Sequence, residues 1–431
     1  MVRFLYTVLL WLLLPFIFVR LALRARRQPE YWQHLGERFG LYSGNLDNLV
    51  SRHSGVSRNP VIWLHAVSVG ETRATVSLVA KLRAAYPEHQ ILLTHTTPTG
   101  RATSEQLYGN GVLRVYLPYD YPFAVRRFIR HFRPEIGILM ETEIWFNLIH
   151  GGHAAGVPML LLNARLSEKS GRGYARFASL TRSALQSLTF IAAQTRDDAA
   201  RLILLGAQSE KISVTGNLKF DIEPPHAMLE LGNALRRQFG ATRNVLLAAS
   251  TREGEEALLL DAFQTQGGGT LLVIVPRHPQ RFDEIAELLA KRGLRYQRRS
   301  GNSEVEADIQ VVLGDSMGEM FAYYAAADIA YVGGSLLPFG GQNLIEACSV
   351  GTPVLIGPHT YNFADATRLA VAAGAAVRVK DADELFQLAN ALLADATALA
   401  EMGQCGTQFV AAHRGATDKA MGVIRAVLGK R

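Results

Sequence analysis

The chain has 431 residues, too many for one ordinary hydrophobic core, so two domains of about 180–200 residues each are expected. With 48% hydrophobic and 19% charged residues, the composition excludes a disordered protein. The formal net charge of +7 favours an anionic partner, which could be a nucleic acid, an acidic membrane surface or an acidic substrate. Cys348 and Cys405 lie in separate segments without metal-ligand spacing, which argues against a disulfide framework or a zinc site and fits a reducing cytoplasm.

The N-terminal segment, residues 1–27, contains a sixteen-residue apolar run, Phe4–Val19, that is flanked by arginines. As a helix this run spans about 24 Å, against a hydrocarbon core of about 30 Å, and extension to Leu23 would close the difference. Three interpretations are open: a cleaved signal peptide, a buried core helix, and an uncleaved anchor that spans the bilayer or lies in its interface. Because arginines crowd the place where cleavage would occur, we favour the anchor. A basic flank would keep the globular part on the cytoplasmic side, and it consists of Arg20, Arg24, Arg26 and Arg27.

After the anchor, short apolar runs alternate with helical stretches, a pattern typical of α/β folds with parallel sheets. The runs are continuously apolar, as strands buried on both faces require. The predicted strands of the first half are Val61–Ser68, Gln90–Thr97, Leu113–Pro118, Glu135–Glu141, Pro158–Asn163, Thr189–Gln194 and Ile212–Gly216. Those of the second half are Asn244–Ala249, Leu271–Pro276, Ile309–Leu313, Ile329–Val332, Pro353–Ile356 and Ala375–Val379. We predict two Rossmann-like domains, at 31–222 and 241–431, joined by a proline-containing linker at 223–240.

The first predicted strand ends in the sequence LHAVSVGE, where Ser68 or Gly70 can start a helix and Glu71 falls in its first turn. A carboxylate there suits the positive end of the helix dipole, so a purely structural role is one interpretation. The other is a general base at the carboxyl end of a strand, which would take the proton from a hydroxyl acceptor as it attacks. Both interpretations stay open on these residues alone.

Further charged side chains follow later strands of the first half. Glu141 and Glu143 lie two residues apart in METEIW, and if both belong to the strand they point the same way and repel each other. Arg165 and Lys169, after the next strand, are available as cationic partners, so a structural ion-pair network is one interpretation. Lys219, in GNLKFD, stands at another strand end just before the linker, and a single lysine there is a weak signal.

In the second half, Arg277 and His278 follow a strand directly, and arginine offers a fork of donors suited to phosphate or carboxylate. The segments LGDSMGEM and YVGGSLLPFGGQNLIEA place glycines at strand-to-helix turns, where backbone N–H groups can approach a phosphate or where the turn itself needs glycine. Glu346 follows Asn343 by three residues, and its carboxylate can accept two hydrogen bonds from a ribose diol.

A metal site is not expected. Asp381 and Asp383 match the D-x-D metal motif found in some glycosyltransferases, but they open a helix after the last strand, and we interpret them as a helix cap. The 12 histidines include no H-x-H or H-x-x-x-H pair. We therefore predict neither a bound metal nor another cofactor.

Taken together, these segments resemble the Kdo (3-deoxy-D-manno-octulosonic acid) transferase family of GT-B glycosyltransferases. The matching motifs are LHAVSVGE, METEIW, NARLSEKSGRGY, GNLKFD, VPRHPQRF, GDSMGEM, YVGGSL, GGQNLIEA and VLIGPH. They run in order from residue 64 to residue 359, so the resemblance covers nearly the whole chain. METEIW is usually followed by proline in the family, whereas this chain has Phe146, and we expect a local backbone difference without loss of activity.

The resemblance implies an inverting transferase that moves Kdo from CMP-Kdo to a lipid A precursor, lipid IVA, in lipopolysaccharide core biosynthesis on the cytoplasmic side of the inner membrane. Glu71 matches the catalytic base, and Glu141 and Lys219 match residues that support the transition state. The matched donor-binding residues are Arg277, His278, Met317, Gly318 and Glu319, with Asn343, Leu344, Ile345 and Glu346 at the CMP moiety. The implied partners are CMP-Kdo, the lipid A precursor and the membrane surface, with no nucleic acid. Family members that add one, two or more Kdo residues share these motifs.

Two other classes of function are compatible with parts of the pattern. One is a GT-B protein that uses a UDP-sugar, or the related non-hydrolysing epimerase, although an epimerase needs no membrane anchor. The other is a membrane-tethered binding protein that has lost its chemistry. Glu71, Glu141, Lys219 and Glu346 at separate strand ends argue against that second class.

Overall fold

The structure is a computed structural model that describes residues 2–42 and 59–429. The chain forms two compact units, of which the first comprises Met1–Asp221 with Arg414–Arg431 and the second comprises Ile222–His413. The predicted domain ranges 31–222 and 241–431 extend over residues 43–58 and 430–431, which lie outside the described residues. The predicted α/β fold class is confirmed, since each unit is built on a parallel sheet flanked by helices.

The sheet of the first unit consists of β1 (Val61–His65), β2 (Gln90–His95), β3 (Leu113–Tyr116), β4 (Pro134–Met140), β5 (Met159–Ala164), β6 (Phe190–Ala193) and β7 (Ile212–Val214). The strand order is β3-β2-β1-β4-β5-β6-β7, and the pairs are parallel. Successive residues of β1 point to opposite faces, so Trp63 packs in one apolar cluster and Ile62 and Leu64 in another. Burial on both faces explains why these strands read as continuous apolar runs.

In the first unit, helices lie before β1 and between successive strands. They are α1 (Val2–Arg27), α2 (Val69–Ala74), α3 (Val76–Ala85), α4 (Pro98–Tyr108), α5 (Pro122–Phe132), α6 (Phe146–Ala154), α7 (Glu168–Ala175), α8 (Ala178–Ser187) and α9 (Arg196–Leu204). Single 3-10 turns occur at Pro29–Trp32, Leu35–Phe39, Gly109–Gly111, Ser209–Lys211 and Leu218–Phe220.

The second unit has the same plan. Its strands are β8 (Val245–Thr251), β9 (Leu271–Pro276), β10 (Tyr296–Arg298), β11 (Val311–Leu313), β12 (Ile329–Val332), β13 (Val354–Ile356) and β14 (Ala376–Arg378), in the order β10-β11-β9-β8-β12-β13-β14. Its helices are α10 (His226–Phe239), α11 (Glu255–Gln266), α12 (Phe282–Lys291), α13 (Met320–Ala326), α14 (Ile345–Ser349), α15 (Ala364–Ala372), α16 (Ala382–Leu393) and α17 (Ala396–His413). Short 3-10 turns lie at Pro279–Arg281 and Arg299–Gly301.

Each predicted strand overlaps an observed one, but the sequence analysis missed β10. This strand pairs only with β11 at the end of the sheet, and its three residues, Tyr296–Arg298, are all half-buried. An edge strand of this kind does not need the continuous apolar run by which the others were recognised.

The segment predicted as a linker, 223–240, instead forms helix α10 of the second unit. Leu235 and Phe239 are buried, and Gly232 lies so close to α13 that a Cβ there would come within 2.7 Å of the Ala325 Cβ. The Pro-Pro pair precedes this helix, since Pro225 is its N-cap, and therefore marks a helix start.

The end of the chain also differs from the prediction, which placed all of 241–431 in the second domain. Helix α18 (Ala416–Leu428) packs on the first unit, where Ala420, Met421 and Ile424 are buried in the same apolar cluster as Ile62. The Asp221 carboxylate fixes the start of this helix by accepting hydrogen bonds from the backbone N–H groups of Gly415 and Thr417.

Helix α1 is long and apolar enough to cross a membrane, by length and composition. Its Tyr6 hydroxyl donates a 3.0 Å hydrogen bond to the Asp120 carboxylate, and the Tyr121 hydroxyl donates to the Leu10 carbonyl at 2.7 Å. The sequence analysis placed residues 1–27 outside the first domain, which was predicted to begin at residue 31. These contacts instead make α1 part of the folded first unit.

Candidate active site

In each unit, polar residues gather at the carboxyl ends of the two central strands, from which the strand order runs in opposite directions. In the first unit these are β1 and β4, and in the second they are β8 and β12. In open parallel sheets, the loops after such a pair of strands diverge to opposite sides of the sheet and leave the crevice in which ligands bind.

Glu71 lies beyond β1, in the first turn of α2. Ser68 is the N-cap of this helix, and its hydroxyl accepts from the Glu71 N–H at 3.4 Å. The Glu71 carboxylate is held on both oxygens: Ser68 Oγ donates to Oε1 at 2.9 Å and the Val67 N–H donates to Oε2 at 2.8 Å. The arrangement resembles a capping box, so the structural role considered from the sequence is present.

The electrostatic state of Glu71 goes beyond what a helix cap requires. Burial, and then the negative charge of Glu141, raise the pKa of the Glu71 carboxyl from 4.5 to about 7. Glu143 contributes in the same direction, whereas the hydrogen bonds from Val67 and Ser68 act against it. A carboxyl group that exchanges its proton near neutral pH in a crevice is a candidate general base.

Glu141 and Lys219 form an ion pair beside this group. The Lys219 Nζ donates to Glu141 Oε1 at 2.8 Å, and both side chains are less than one-fifth exposed. Glu141 directly follows β4 and has a φ of +57°, in the left-handed region that a non-glycine residue rarely adopts. Such a conformation costs about 1–3 kcal/mol and is found preferentially at functional sites. The cation that Glu141 contacts is therefore Lys219, whereas the sequence had offered Arg165 and Lys169 as available partners.

Glu143 points to a different set of partners from Glu141, so the expected repulsion between two parallel side chains is avoided. The Trp145 indole donates to Glu143 Oε2 at 2.5 Å, and His65 Nε2 lies 3.7 Å from the same oxygen. The His65 ring is fully buried, with Nδ1 3.0 Å from the Thr94 carbonyl oxygen. Because β4 ends at Met140 and Glu141 has a left-handed backbone, both carboxylates lie beyond the strand and do not have to point the same way.

Phe146, the departure from the family pattern, is the first residue of α6, and Trp145 is its N-cap. Proline is favoured at this position because its missing N–H would have no partner within the helix. In this chain the Phe146 ring instead contacts the Tyr6 ring of α1, edge to face at a centroid distance of 5.1 Å.

In the second unit, the first residue of α11, the helix after β8, carries a buried carboxylate that the sequence analysis missed. Glu255 is fully buried and accepts from the Tyr331 hydroxyl at 2.6 Å, the Leu336 N–H at 3.0 Å, the Gly334 N–H at 2.6 Å and the Arg252 N–H at 2.9 Å. One side chain thus fixes the loops after both central strands. The run of acidic residues in TREGEE after a strand was the available signal.

Arg277 and His278, the predicted donor-binding pair, lie beyond β9 next to Arg252. The Arg277 N–H donates to the Thr251 carbonyl at 3.0 Å, which ties the two loops together. Partial burial, and then the positive charges of Arg252 and Arg277, lower the pKa of the His278 ring. The Arg252 guanidinium lies 4.5 Å from the centre of the Phe339 ring. The loops therefore concentrate positive charge where an anionic group would be bound.

The segment Met317–Glu319 forms the turn between β11 and α13. Ser316 Oγ donates to Glu319 Oε2 at 2.6 Å, and Arg299 Nε lies 3.5 Å from the same oxygen. Gly318 has a φ of +85°, which explains the glycine at this position, and the Met317 side chain is 55% exposed.

The segment Asn343–Glu346 leads into α14. Asn343 Nδ2 donates to Glu346 Oε1 at 3.1 Å, and the Asn343 Oδ1 accepts from the Ile345 N–H at 3.1 Å. The Leu344 and Ile345 side chains are fully buried, so these two residues can meet a ligand only through their backbone. The half-buried Glu346 retains a carboxylate that can accept further hydrogen bonds.

The D-x-D segment is a helix cap, as expected. Asp381 is the N-cap of α16 and accepts from the Glu384 N–H at 2.9 Å, while Asp383 accepts from Gln266 Nε2 at 2.9 Å. Within residues 2–42 and 59–429, no group of three or more His, Cys, Asp or Glu side chains has the arrangement of a metal site.

The fold and the second half of the chain define the class of protein. UDP-GlcNAc 2-epimerase from Neisseria meningitidis, bound to UDP-GlcNAc, superposes with a TM-score of 0.58 at 16% identity, covering 86% of this chain and 100% of that chain. HepE from Anabaena, in complex with UDP, gives a TM-score of 0.56 at 14% identity over 85% of this chain and 99% of that chain. Residues 259–409 match the family model of glycosyl transferases group 1. The protein is a glycosyltransferase of the GT-B fold.

The particular family follows from the first half of the chain and from full-length relatives. Residues 33–222 match the family model of 3-deoxy-D-manno-octulosonic-acid transferases. A 3-deoxy-D-manno-octulosonic acid transferase of Bordetella pertussis is 45% identical over 99% of this chain and 100% of its own length. One from Haemophilus influenzae is 36% identical over 99% of both chains. The chain belongs to the Kdo transferase family, and the predicted enzyme class is confirmed.

Proposed function

We propose that this Kdo transferase takes Kdo from CMP-Kdo and attaches it to a lipid A precursor, lipid IVA, with inversion, and that Glu71 is the general base. The observation that carries the proposal is the Glu71 carboxylate beside the β1–β4 crevice, with a pKa raised by burial to about 7. A base is most effective when its pKa lies near the working pH, because the ionised form is populated and still accepts a proton readily.

The hydrogen bonds to Glu71 orient its carboxylate for this step. Ser68 and Val67 each donate to one of its oxygens, which restricts rotation of the side chain. As the acceptor hydroxyl attacks the anomeric carbon of Kdo, a Glu71 oxygen takes the hydroxyl proton, the new glycosidic bond forms, and the bond from Kdo to the CMP phosphate breaks. The phosphate leaves with the bonding electron pair.

The remaining predicted residues have roles that suit their surroundings. Glu141 and Lys219 place paired charges near the base and support the transition state. In the second unit, Arg277 and His278 bind the anionic donor, and the turn Met317–Glu319 contributes to the same site. Glu346 accepts hydrogen bonds from the CMP ribose, with Asn343 fixing its carboxylate and with Leu344 and Ile345 contributing backbone groups.

The acceptor of this reaction is a phosphorylated, acylated lipid, and the apolar helix α1 suits an enzyme that meets it at the inner membrane. We place the catalytic units on the cytoplasmic side, because the arginines after the apolar run suit the anionic surface of the cytoplasmic leaflet. No nucleic acid and no cofactor are required.

The test is a Glu71→Gln variant assayed with preformed CMP-Kdo and lipid IVA in detergent micelles, with product masses read by mass spectrometry. Transfer should fall by at least about a hundredfold, the usual contribution of a general base, while CMP binding is retained. Glu168→Gln is the matched control, because Glu168 also lies in the first turn of a helix but is exposed. Near-native turnover of Glu71→Gln would exclude Glu71 as the base, and absence of Kdo transfer to lipid IVA by the unaltered protein would exclude the proposed acceptor.

A further inference from the structure

Helix α1 contacts the first unit near its start and near its end. Near its start, the Tyr6 hydroxyl binds the Asp120 carboxylate, which is also held by the N–H groups of Asn147 and Leu148. Near its end, Leu21 and Ala25 are both only 5% exposed. From Tyr6 to Ala25 a helix rises about 28 Å, nearly the thickness of a hydrocarbon core of about 30 Å.

Aromatic contacts fill the interval between these two attachment points. The Trp11 ring lies 5.1 Å from that of Tyr121 and 5.6 Å from that of Phe123, measured between centroids. Further along, the Phe18 ring stacks on Phe39 at 5.7 Å. The helix therefore contacts the body of the unit at its beginning, middle and end.

The face of α1 that points away from the unit is apolar and exposed. Apart from Phe4, the apolar residues of α1 that are more than half exposed recur at the spacing of one helical face, and they are Leu5, Leu12, Phe16, Val19 and Leu23. An apolar face of this length in water is unfavourable and marks a binding surface.

Charge complementarity indicates what covers this surface. Arg20, Arg24 and Arg26 are exposed at the end of the helix, and the neighbouring helix α5 exposes Arg126, Arg127 and Arg130. The Arg127 guanidinium lies 5.3 Å from the centre of the Phe123 ring, which itself contacts α1. An apolar strip bordered by arginines matches the acyl boundary and headgroups of an anionic bilayer.

A membrane-spanning orientation conflicts with these contacts. If α1 crossed the bilayer in its docked position, Asp120 and the arginines of α5 would be drawn into the hydrocarbon, where charges are strongly unfavourable. If it undocked to cross, the buried Asp120 carboxylate would lose the Tyr6 hydrogen bond, and Leu21 and Ala25 would lose their packing.

We propose that α1 does not span the membrane but lies along the surface of an anionic bilayer, docked on the first unit, with Leu5, Leu12 and Val19 inserted at a common shallow depth. Its first turn then brings the bilayer surface to the candidate active site, because Tyr6 packs on Phe146, which follows the Glu143–Trp145 segment. This proposal concerns membrane topology and stands independently of the acceptor proposed above.

The first experiment tests on which side of the membrane the two ends of α1 lie. Single cysteines are placed at Val2, before the apolar run, and at Ala85, exposed on α3, in a full-length Cys405→Ser background, since Cys348 is buried. Sealed membrane vesicles of one orientation are treated with an impermeant maleimide before and after detergent. If α1 lies on one surface of the bilayer, both cysteines should react before detergent is added, or both should react only afterwards. Reaction of one before detergent and of the other only afterwards would show that α1 spans and would overturn the proposal.

The second experiment measures depth. Nitroxide labels at Leu5→Cys, Leu12→Cys and Val19→Cys, on the outward face, should report similar depths of about 5–10 Å in vesicles containing phosphatidylglycerol. A spanning helix would separate neighbouring labels by about 10 Å along the bilayer normal, since they are seven residues apart. Such a gradient of depths would contradict the proposal, and so would labels that all report an aqueous environment. A mature protein whose mass shows that the N-terminal segment has been removed would also contradict it. The thermal midpoint of each variant should equal that of the parent, which excludes misfolding as the cause of a change.

Discussion

The Lys219 Nζ and the Glu141 Oε1 lie 2.8 Å apart, joining two side chains that are separated by 78 residues in the chain. Glu141 in turn is the largest charged contributor to the raised pKa of Glu71. The ion pair therefore controls how much negative potential the candidate base experiences. A neighbouring residue can thus tune the pH at which Glu71 becomes ionised.

Glu141→Gln and Lys219→Met should shift the acid limb of the pH–rate profile in opposite directions. In the parent protein, kcat/KM should rise with pH through about 7, the pKa to which burial raises Glu71. Glu141→Gln removes a negative charge, so the limb should move to lower pH; Lys219→Met leaves Glu141 unpaired, so the limb should move to higher pH. The measurement is kcat/KM from pH 5 to 9. Limbs that coincide in all three proteins would contradict the coupling.

Glu71 should also make the stability of the protein depend on pH. The pKa of Glu71 is about 7 in the folded protein, and its reference value of 4.5 applies to the unfolded chain. Between pH 4.5 and pH 7 the folded protein therefore holds a proton that the unfolded chain has lost. The free energy of unfolding therefore decreases as pH rises through this window, by at most about 1.4 kcal/mol per pH unit from this group. Glu71→Gln cannot titrate, so its stability relative to the parent should increase from pH 5 to pH 7 and then level off. Urea denaturation at each pH measures this, and Glu168→Gln should run parallel to the parent.

Transfer from preformed CMP-Kdo should persist in EDTA and in Asp383→Ala. Asp381 is engaged in capping α16 and Asp383 in a hydrogen bond with Gln266, so neither is directed to a ligand. The positive side chains of Arg252 and Arg277 can stabilise the departing phosphate in place of a divalent ion. Activity is measured by product mass with and without EDTA. A loss of transfer that added Mg²⁺ restores would show that a metal takes part.

Replacing the buried carboxylate Glu255 should destabilise the second unit. In Glu255→Gln an amide NH₂ replaces one oxygen, so at least two of the four donors that converge on this side chain lose their acceptor inside the protein. We expect a loss of about 3 kcal/mol in the free energy of unfolding, together with weaker CMP binding. Glu253→Gln is the matched control, since Glu253 is half exposed and should change stability by less than about 0.5 kcal/mol. Equal stability of the two variants would contradict this role.

Much of the fold was predictable because burial on both faces of a parallel sheet leaves a continuous apolar run in the sequence. That rule identified the strands that precede Glu71 and Glu141 but not the edge strand Tyr296–Arg298, which pairs with β11 alone among the described strands and has half-buried residues. It also could not assign α18 to the first unit, since an amphipathic helix does not specify which apolar surface it covers.

The position of the candidate base on its helix was predictable from local sequence, but the connections between the residues of the candidate site were not. The first-turn position of Glu71 follows from the capping residue Ser68, which local sequence indicates. The pairing of Glu141 with Lys219 depends on sheet order and on a left-handed backbone, and neither has a local signal. The same holds for Glu255, whose four donors come from the loop after β8, from Tyr331 of β12 and from the loop after β12.

The Asp221 carboxylate, which binds the N–H groups of Gly415 and Thr417, lies where the chain leaves the first unit, and its partners lie where the chain returns. The second unit is therefore an insertion, and the first unit lacks α18 until the last residues have been synthesised. During translation, the second unit can complete its own sheet while the apolar surface around Ile62 still awaits Met421 and Ile424. Premature termination a few residues before the end of the chain would thus damage the unit encoded first.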